Sequence, residues 1–437
     1  LTRIGEKARK EPGLVFTSLY HHIYDVDNLR ACYDTLGAKK ATGVDGVTKG
    51  EYGKNLEENL QELSERLKRM GYRPGPKKRV YIPKAGSEKG RPLGISALED
   101  KIVEEATRRT LEPIYEAVFE GSSYGYRPGR SPHQCLDALG RTIQQRKVSY
   151  VVEADIKGFF DEVNHEWMIR FLRHRIGDER VIRLIIRMLK GGIMEDGLVR
   201  ATEKGTPQGS ILSPLLSNIY LHYVLDLWFS RRVSRASRGD AYYFRFADDF
   251  VACFQYREDA EWFGQGLKER LKEFGLAVAE DKTRCIEFGR FARENAYKRG
   301  EKPKEFTFLG FTHYCGKTRE GYFKVKRRTS RKKLGESLSK FTQWAKQARQ
   351  VLRKGEMLRE ARIRVMGHLG YYAITDNLGR CDTYVYRAMR ILYKWLNRKS
   401  QRKAYTWEGF KQALAWVDWP KARLRKDLNP CRRAEAY

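Results

Sequence analysis

Residues 242–254 read YYFRFADDFVACF. Two aromatic and β-branched runs of strand length, 242–247 and 250–254, flank Asp248 and Asp249, which predicts a hairpin with both acids at its tip. Adjacent carboxylates repel one another unless a cation lies between them. A bare Asp-Asp pair also suits an ordinary hairpin turn, so the reading depends on what accompanies it. About 90 residues upstream a third run of the same kind, YVVEA at 150–154, ends on Asp155. Carboxylates at strand ends, Gly-rich segments between them and a basic chain together suit a two-metal phosphoryl-transfer site.

The surrounding composition agrees with that chemistry. The 437 residues carry 86 Lys and Arg against 55 Asp and Glu, a net charge of +31 that attracts polyanions. Residues 317–437 hold 32 of the basic and 10 of the acidic side chains, so +22 of the excess lies in the last quarter. In that quarter Leu334, Leu338, Phe341 and Trp344, then Ile363, Met366, Leu369 and Tyr372, then Tyr386, Met389, Leu392 and Trp395 recur at helical spacing. A basic helical domain is expected there. The cations Lys326, Arg327, Arg328, Arg331, Lys332 and Lys333, interleaved with Tyr and Trp, form a candidate RNA-binding face. Before residue 316, helical periodicity at 56–70, 100–111, 166–176 and 180–189 alternates with strand-like runs at 80–82, 150–154, 242–247 and 250–254.

Other classes fall away. No 18-residue apolar run occurs, and residues 211–229 are broken by Asn218, His222 and Asp226, so no membrane contact is expected. Seven scattered cysteines without a CxxC pair predict reduced thiols and no zinc site. The chain starts on Leu1, with no apolar signal core behind it.

A series of blocks then carries a specific resemblance: ATGVDGV (41–47), RVYIPK (79–84), RPLGI (91–95), SYGYRPGRSPHQC (123–135), EADIKGFFDEVNH (153–165), GTPQGSILSPLLSNIYLH (205–222), YFRFADDFV (243–251), GLAVAEDKT (275–283) and FLGF (308–311), followed by MGHLGYYAI (366–374). In this order they resemble the bacterial group II intron-encoded reverse transcriptases, over roughly residues 40–400. The resemblance implies an α+β right-hand polymerase with an antiparallel palm sheet, fingers, and an all-helical thumb that is also the maturase domain. It divides the chain into an N-terminal extension (1–45), fingers (46–145), palm (146–316) with a helical fingers insertion at about 165–204, thumb (317–400) and a basic segment (401–437) that is either a short DNA-binding region or the thumb's last helices.

The roles it implies are these. Asp155, Asp248 and Asp249, with the Ile156 carbonyl, hold two Mg²⁺ ions. Lys84 and Arg91 contact the incoming triphosphate, with Lys78 and Arg79 as neighbours. Phe160 lies where the family sets a ring against the 2′-position, excluding ribonucleotides; alternatively Phe159 and Phe160 are opposite faces of a strand end. Gln208 and Gly209 lie against the nascent pair. Lys282 sits where a lysine protonates the leaving pyrophosphate, and Leu309 and Gly310 form the primer grip. The implied partners are group II intron RNA, an RNA template with a DNA or RNA primer, target DNA and dNTPs, in a cytoplasmic protein associated with the nucleoid when on DNA. The implied function is RNA-directed DNA synthesis joined to splicing and to retrohoming by target-primed reverse transcription. Two other readings stand beside it: the same polymerase recruited to host duty such as phage defence or CRISPR-linked adaptation, and an RNA-binding splicing factor without polymerase activity. The sequence departs from the family in having Phe246 before Ala-Asp-Asp where tyrosine is usual, and no recognisable counterpart of the Cys-rich DNA endonuclease of longer members.

Overall fold

The run at 150–154 is apolar on both faces, and in the computed structural model of the chain each face is covered. Residues 1–82, 90–398 and 404–431 are described. Their strands are β1 (Lys77–Ile82), β2 (Arg91–Ile95), β3 (Tyr150–Ala154), β4 (Ile193–Glu195), β5 (Leu198–Arg200), β6 (Ala241–Phe246), β7 (Asp249–Phe254), β8 (Arg284–Glu287), β9 (Phe306–Phe308), β10 (Phe311–Lys317) and β11 (Phe323–Thr329). The palm is an antiparallel sheet in the order β6-β7-β3-β8. Val152, Phe250, Ala252 and Phe254 pack into a large helical core on one face. Val151, Val251, Cys253 and Ile286 pack on the other against helix Pro132–Gln145 and the β9-β10-β11 sheet. Side chains alternate along a strand, so a sheet covered on both sides reads as a continuous apolar run. The architecture is α+β, as expected for a right-hand polymerase.

A second sheet, β2-β1-β4-β5, builds the fingers. Its β1–β2 pair is antiparallel, while β4 joins β1 in parallel through Lys77↔Ile193. The insertion expected to be helical at about 165–204 therefore holds helices His165–Arg173 and Glu179–Lys190 and then a hairpin. Asp196 and Gly197 both take positive φ at its tip, the Asp-Gly signature of a tight hairpin, which helical periodicity alone overlooked.

The thumb also differs from a wholly helical unit. Strand β11 lies inside residues 317–400, and helices begin only at Arg331, where Ser330 caps the first turn by accepting from the Lys333 amide. Helices Arg331–Val351, Lys354–Tyr372 and Leu378–Leu396 share one core. Ile363 and Tyr386, expected on the buried stripes, face solvent; the buried faces instead run through Ala361 and Val365 and through Tyr384 and Ala388. Small alanines let the helices approach, and an apolar spacing pattern does not choose between overlapping stripes. Beyond residue 403, helix Trp407–Trp416 adds Phe410 and Leu414 to the thumb core. The chain then returns to the palm, where Leu428 is buried and its carbonyl accepts from Arg327 at 3.0 Å. Among the described residues no helix is long and apolar enough to cross a membrane.

Candidate active site

The palm hairpin closes on the pair Phe246↔Asp249, leaving Ala247 and Asp248 as its two-residue turn. Ala247 adopts φ +58°, a left-handed conformation that costs a non-glycine residue roughly 1–2 kcal/mol. The structure around it holds that strain. Arg245, fully buried, donates to the Ala247 carbonyl at 3.0 Å, to Asn218 at 2.9 Å, to the Ser123 hydroxyl at 2.8 Å and to both oxygens of buried Asp226 at 2.7 and 2.6 Å. Segment 122–125 runs beside β6, with the Tyr124 amide donating to the Arg245 carbonyl at 2.9 Å. A Cβ on Gly125 would lie 2.2 Å from the Ala247 nitrogen, so only glycine passes beneath the turn.

Asp155 follows β3 directly, beside the hairpin's tip. Its carbonyl accepts from the Ala279 amide at 2.8 Å and the Lys157 amide donates to Ala277 at 2.8 Å, so neither bond uses the intervening Ile156 carbonyl. Burial, together with the Asp155 charge, pushes Asp248 above the usual carboxylate range. Burial and the charges of Asp248 and Asp155 push Asp249 up to about 6. The Asp249 residue as a whole is exposed, so solvent weakens both causes there. Lys282 pairs with the Asp155 carboxylate, and that hydrogen bond raises its own pKa. An ammonium thus sits among carboxylates whose mutual repulsion calls for positive charge. With Asp155 turned to Lys282, no three acidic, imidazole or thiol side chains among the described residues close round one point. The oxygen-rich donor set nevertheless fits a hard divalent cation.

Asp155, Asp248 and Lys282 line a cleft of about 560 Å³ with Arg91, Phe160, Gln208 and Gly209, and Asp249 stands beside it at the base of the turn. Arg91 opens β2 and its charge acts on Asp248. Phe159 and Phe160 lie on the short helix Phe159–Glu162 rather than at a strand end; Phe159 is core, and Phe160 is half-buried in the cleft wall. Loop 205–209 ties the cleft together: the Thr206 amide donates to the Phe160 carbonyl at 2.7 Å and the Gln208 carbonyl accepts from Gly94 of β2 at 2.6 Å. Gly209 has φ +108°, and a Cβ there would lie 2.8 Å from the Gly94 carbonyl oxygen. Gly209→Ala is therefore expected to cost about 2 kcal/mol or to push the loop off β2. A thermal melt with a nucleotide titration checks this, through a lower Tm or a raised KM.

Leu309 and Gly310 form the tight turn between β9 and β10, both at positive φ. The thumb holds this turn: Tyr371 donates through its hydroxyl to the Leu309 carbonyl at 2.8 Å. Lys84 lies outside the described residues. Lys326, Arg327 and Arg328 fall on β11, not on a thumb helix. Arg327 is 2 % exposed, packed over Gly140 and bonded to Leu428, so it is a buried structural cation and not part of an RNA-binding face. Strand alternation points it inward, opposite to Lys326 and Arg328, and Arg328 pairs with Glu305 at 2.7 Å. Arg331, Lys332 and Lys333 are exposed on the first thumb turn, where Lys333 pairs with Glu336. Sequence reading missed Arg245, Asp226 and Gly125 as supports of the turn, and Tyr126 as a cleft wall at positive φ. A lone arginine inside the apolar run YYFRF was the available signal.

A palm sheet that brings carboxylates from two strand ends together, under a fingers hairpin and beside a helical thumb, defines a nucleotide-polymerising site. The chain belongs to the reverse transcriptase (RNA-dependent DNA polymerase) family, which matches residues 82–313. It is 39% identical over 231 residues to the group II intron-encoded protein LtrA of Lactococcus lactis subsp. cremoris, covering 52% of this chain and 38% of that protein. It is 38% identical over 233 residues to protein YkfC of Escherichia coli K12, covering 52% of this chain and 61% of that one. A match of 33% over 94 residues relates it to nuclear intron maturase 1, mitochondrial, of Arabidopsis thaliana, over 21% and 13% of the two chains. The chain thus spans less than two thirds of these relatives.

Proposed function

We propose that this chain copies RNA into DNA for a group II intron, and that it also binds the intron RNA as a splicing maturase. The observation that carries the reading is the meeting of Asp155 and Asp248 in a cleft walled by Arg91, Phe160, Gln208 and Gly209, with the charge of Asp249 beside them. Asp155, Asp248, Asp249 and the Ile156 carbonyl would hold two Mg²⁺ ions, which supply acidification of the primer hydroxyl and charge neutralisation of the triphosphate. Arg91, with Lys84, binds the triphosphate, and its forked donors suit phosphate oxygens. Gln208 and Gly209 bring backbone against the nascent pair, while Leu309 and Gly310 hold the primer end. Lys282, paired with Asp155, would give a proton to the departing pyrophosphate. Positioning and charge, rather than a protein nucleophile, do the work.

The similarity to intron-encoded proteins and to an intron maturase supports the intron RNA as partner, with retrohoming at a DNA target following from both activities. The large positive charge supports RNA binding that weakens steeply with salt. Primer extension on an RNA template with dNTPs and Mg²⁺ tests the polymerase; tight RNA binding without any product would favour the splicing-factor reading. Phe160→Ala is expected to admit ribonucleotides by removing the ring from the sugar's 2′-side. Incorporation measured with each rNTP against its dNTP checks it, and unchanged selectivity would place the exclusion elsewhere.

A further inference from the structure

Behind the palm lies a groove that the catalytic reading leaves unused. Segment 289–305 leaves the sheet beside the Tyr150 end of β3: Phe288 donates to the Ser149 carbonyl at 2.8 Å, and a Cβ on Gly289 would lie 2.1 Å from the Val148 oxygen. Asp155 follows the other end of that five-residue strand, roughly 17 Å away at about 3.4 Å per residue. Helix Ala292–Lys298 and the following turn face the outer side of β10 and β11, enclosing about 1010 Å³. Its walls carry Arg293, Lys302, Lys317 and Lys326 with the rings of Tyr297 and Tyr314. None of the four cations has a carboxylate partner among the described residues. The acid in the groove, Glu305, is already engaged by Arg328. Tyr297 is 59 % exposed with Arg293 over its ring, and the Lys326 stem lies across Gly316, where a Cβ would come within 2.7 Å of it.

We propose that this groove binds a single-stranded segment of RNA. Free cations spaced along a concave wall neutralise phosphates, and the exposed ring of Tyr297 between them, beside half-buried Tyr314, stacks on a base of any identity. A duplex presents no free base faces to such rings, and an anionic lipid surface is flat where this wall is concave. The choice of RNA over DNA rests on the reading above: in RNA-templated synthesis the product DNA stays paired, so the strand left single is RNA. Because the groove lies at the sheet end remote from the carboxylates, the segment it holds is not the one being copied at that moment.

The test compares the native chain with Tyr297→Ala/Lys302→Glu/Lys317→Glu. Binding is measured on a blunt RNA–DNA hybrid and on the same hybrid carrying an unpaired RNA extension of about 16 nucleotides. The variant is expected to bind the extended hybrid about tenfold more weakly, with the slope of log affinity against log salt shallower by about 1.4, and the blunt hybrid as the native chain does. Equal affinity of both proteins for the extended hybrid would overturn the proposal. So would an equal loss on both hybrids, which marks a general charge or folding effect. A DNA extension held as tightly as RNA would overturn the assignment to RNA. Independently of any variant, 4-thiouridine in the extension should crosslink to Tyr297 or Tyr314 in the native chain, and crosslinks confined to other regions would count against the groove. These are binding readouts, so they stay informative if primer extension by the native chain fails.

Discussion

Asp248→Ala is expected to reduce nucleotide incorporation at least about a thousandfold while leaving the fold intact. The side chain projects from a two-residue turn whose shape is set by backbone and by Arg245, so its removal leaves no cavity in either palm core. On the proposed reading, what is lost is a charge at the point where the attacking and leaving oxygens must be neutralised, and in a site that works by charge stabilisation one such contact is worth several kcal/mol. The stability effect should have the opposite sign. Asp248 and Asp249 are both pushed above the normal carboxylate range, by burial first, and the ionised Asp248 is among the charges that make ionised Asp249 less favourable in the folded chain. Removing one relieves that repulsion above the shifted pKa values, and Tm at neutral pH should stay level or rise. Single-nucleotide extension with a parallel thermal melt checks both. Retained incorporation would remove Asp248 from the site, and a collapsed Tm would assign the loss to unfolding.

Arg245→Met is expected to be the most destabilising change in the palm. Neither Arg245 nor Asp226 has measurable side-chain exposure, and deleting one leaves the other as an uncompensated buried charge, at a cost of about 3–5 kcal/mol. The double change Arg245→Met/Asp226→Leu removes both charges and should recover most of that loss, because a buried ion pair replaced by apolar side chains of similar volume is often near neutral. Incorporation should not recover with it. The Ala247 carbonyl, Asn218 and Ser123 still lack their shared donor, so nothing holds the strained turn that presents Asp248. Denaturant melts and single-turnover rates on both variants test this. A double variant that regains stability and rate together would show the network to be a fold element with no part in positioning the carboxylate.

The contrast between these two predictions follows what was readable in the chain. Asp155, Asp248 and Asp249 could be placed from local pattern alone, because acids are conspicuous at the ends of apolar runs and strand pairing is the low-energy use of those runs. Strand β3 was placed to the residue, and β7 began one residue early, at Asp249. The support of the turn was not readable. Arg245 reaches Asp226, Asn218 and Ser123 across separations of 19, 27 and 122 residues, and no local periodicity encodes such distances. Arg327 misled for a related reason: a run of three cations looks like one solvated face, but on a strand alternate side chains point to opposite sides, so the middle one was buried.

By itself, then, the sequence determined the strand-bound carboxylates, the basic helical quarter and the order of blocks, since these depend on residue type and short-range spacing. Tertiary structure alone decided which cations reach solvent, which stripe of each thumb helix is buried, and how the tail from Trp407 to Leu428 closes first on the thumb and then on the palm. Those outcomes depend on close packing between segments remote in the chain, where a single Cβ at Gly125 or Gly209 settles whether two backbones can meet.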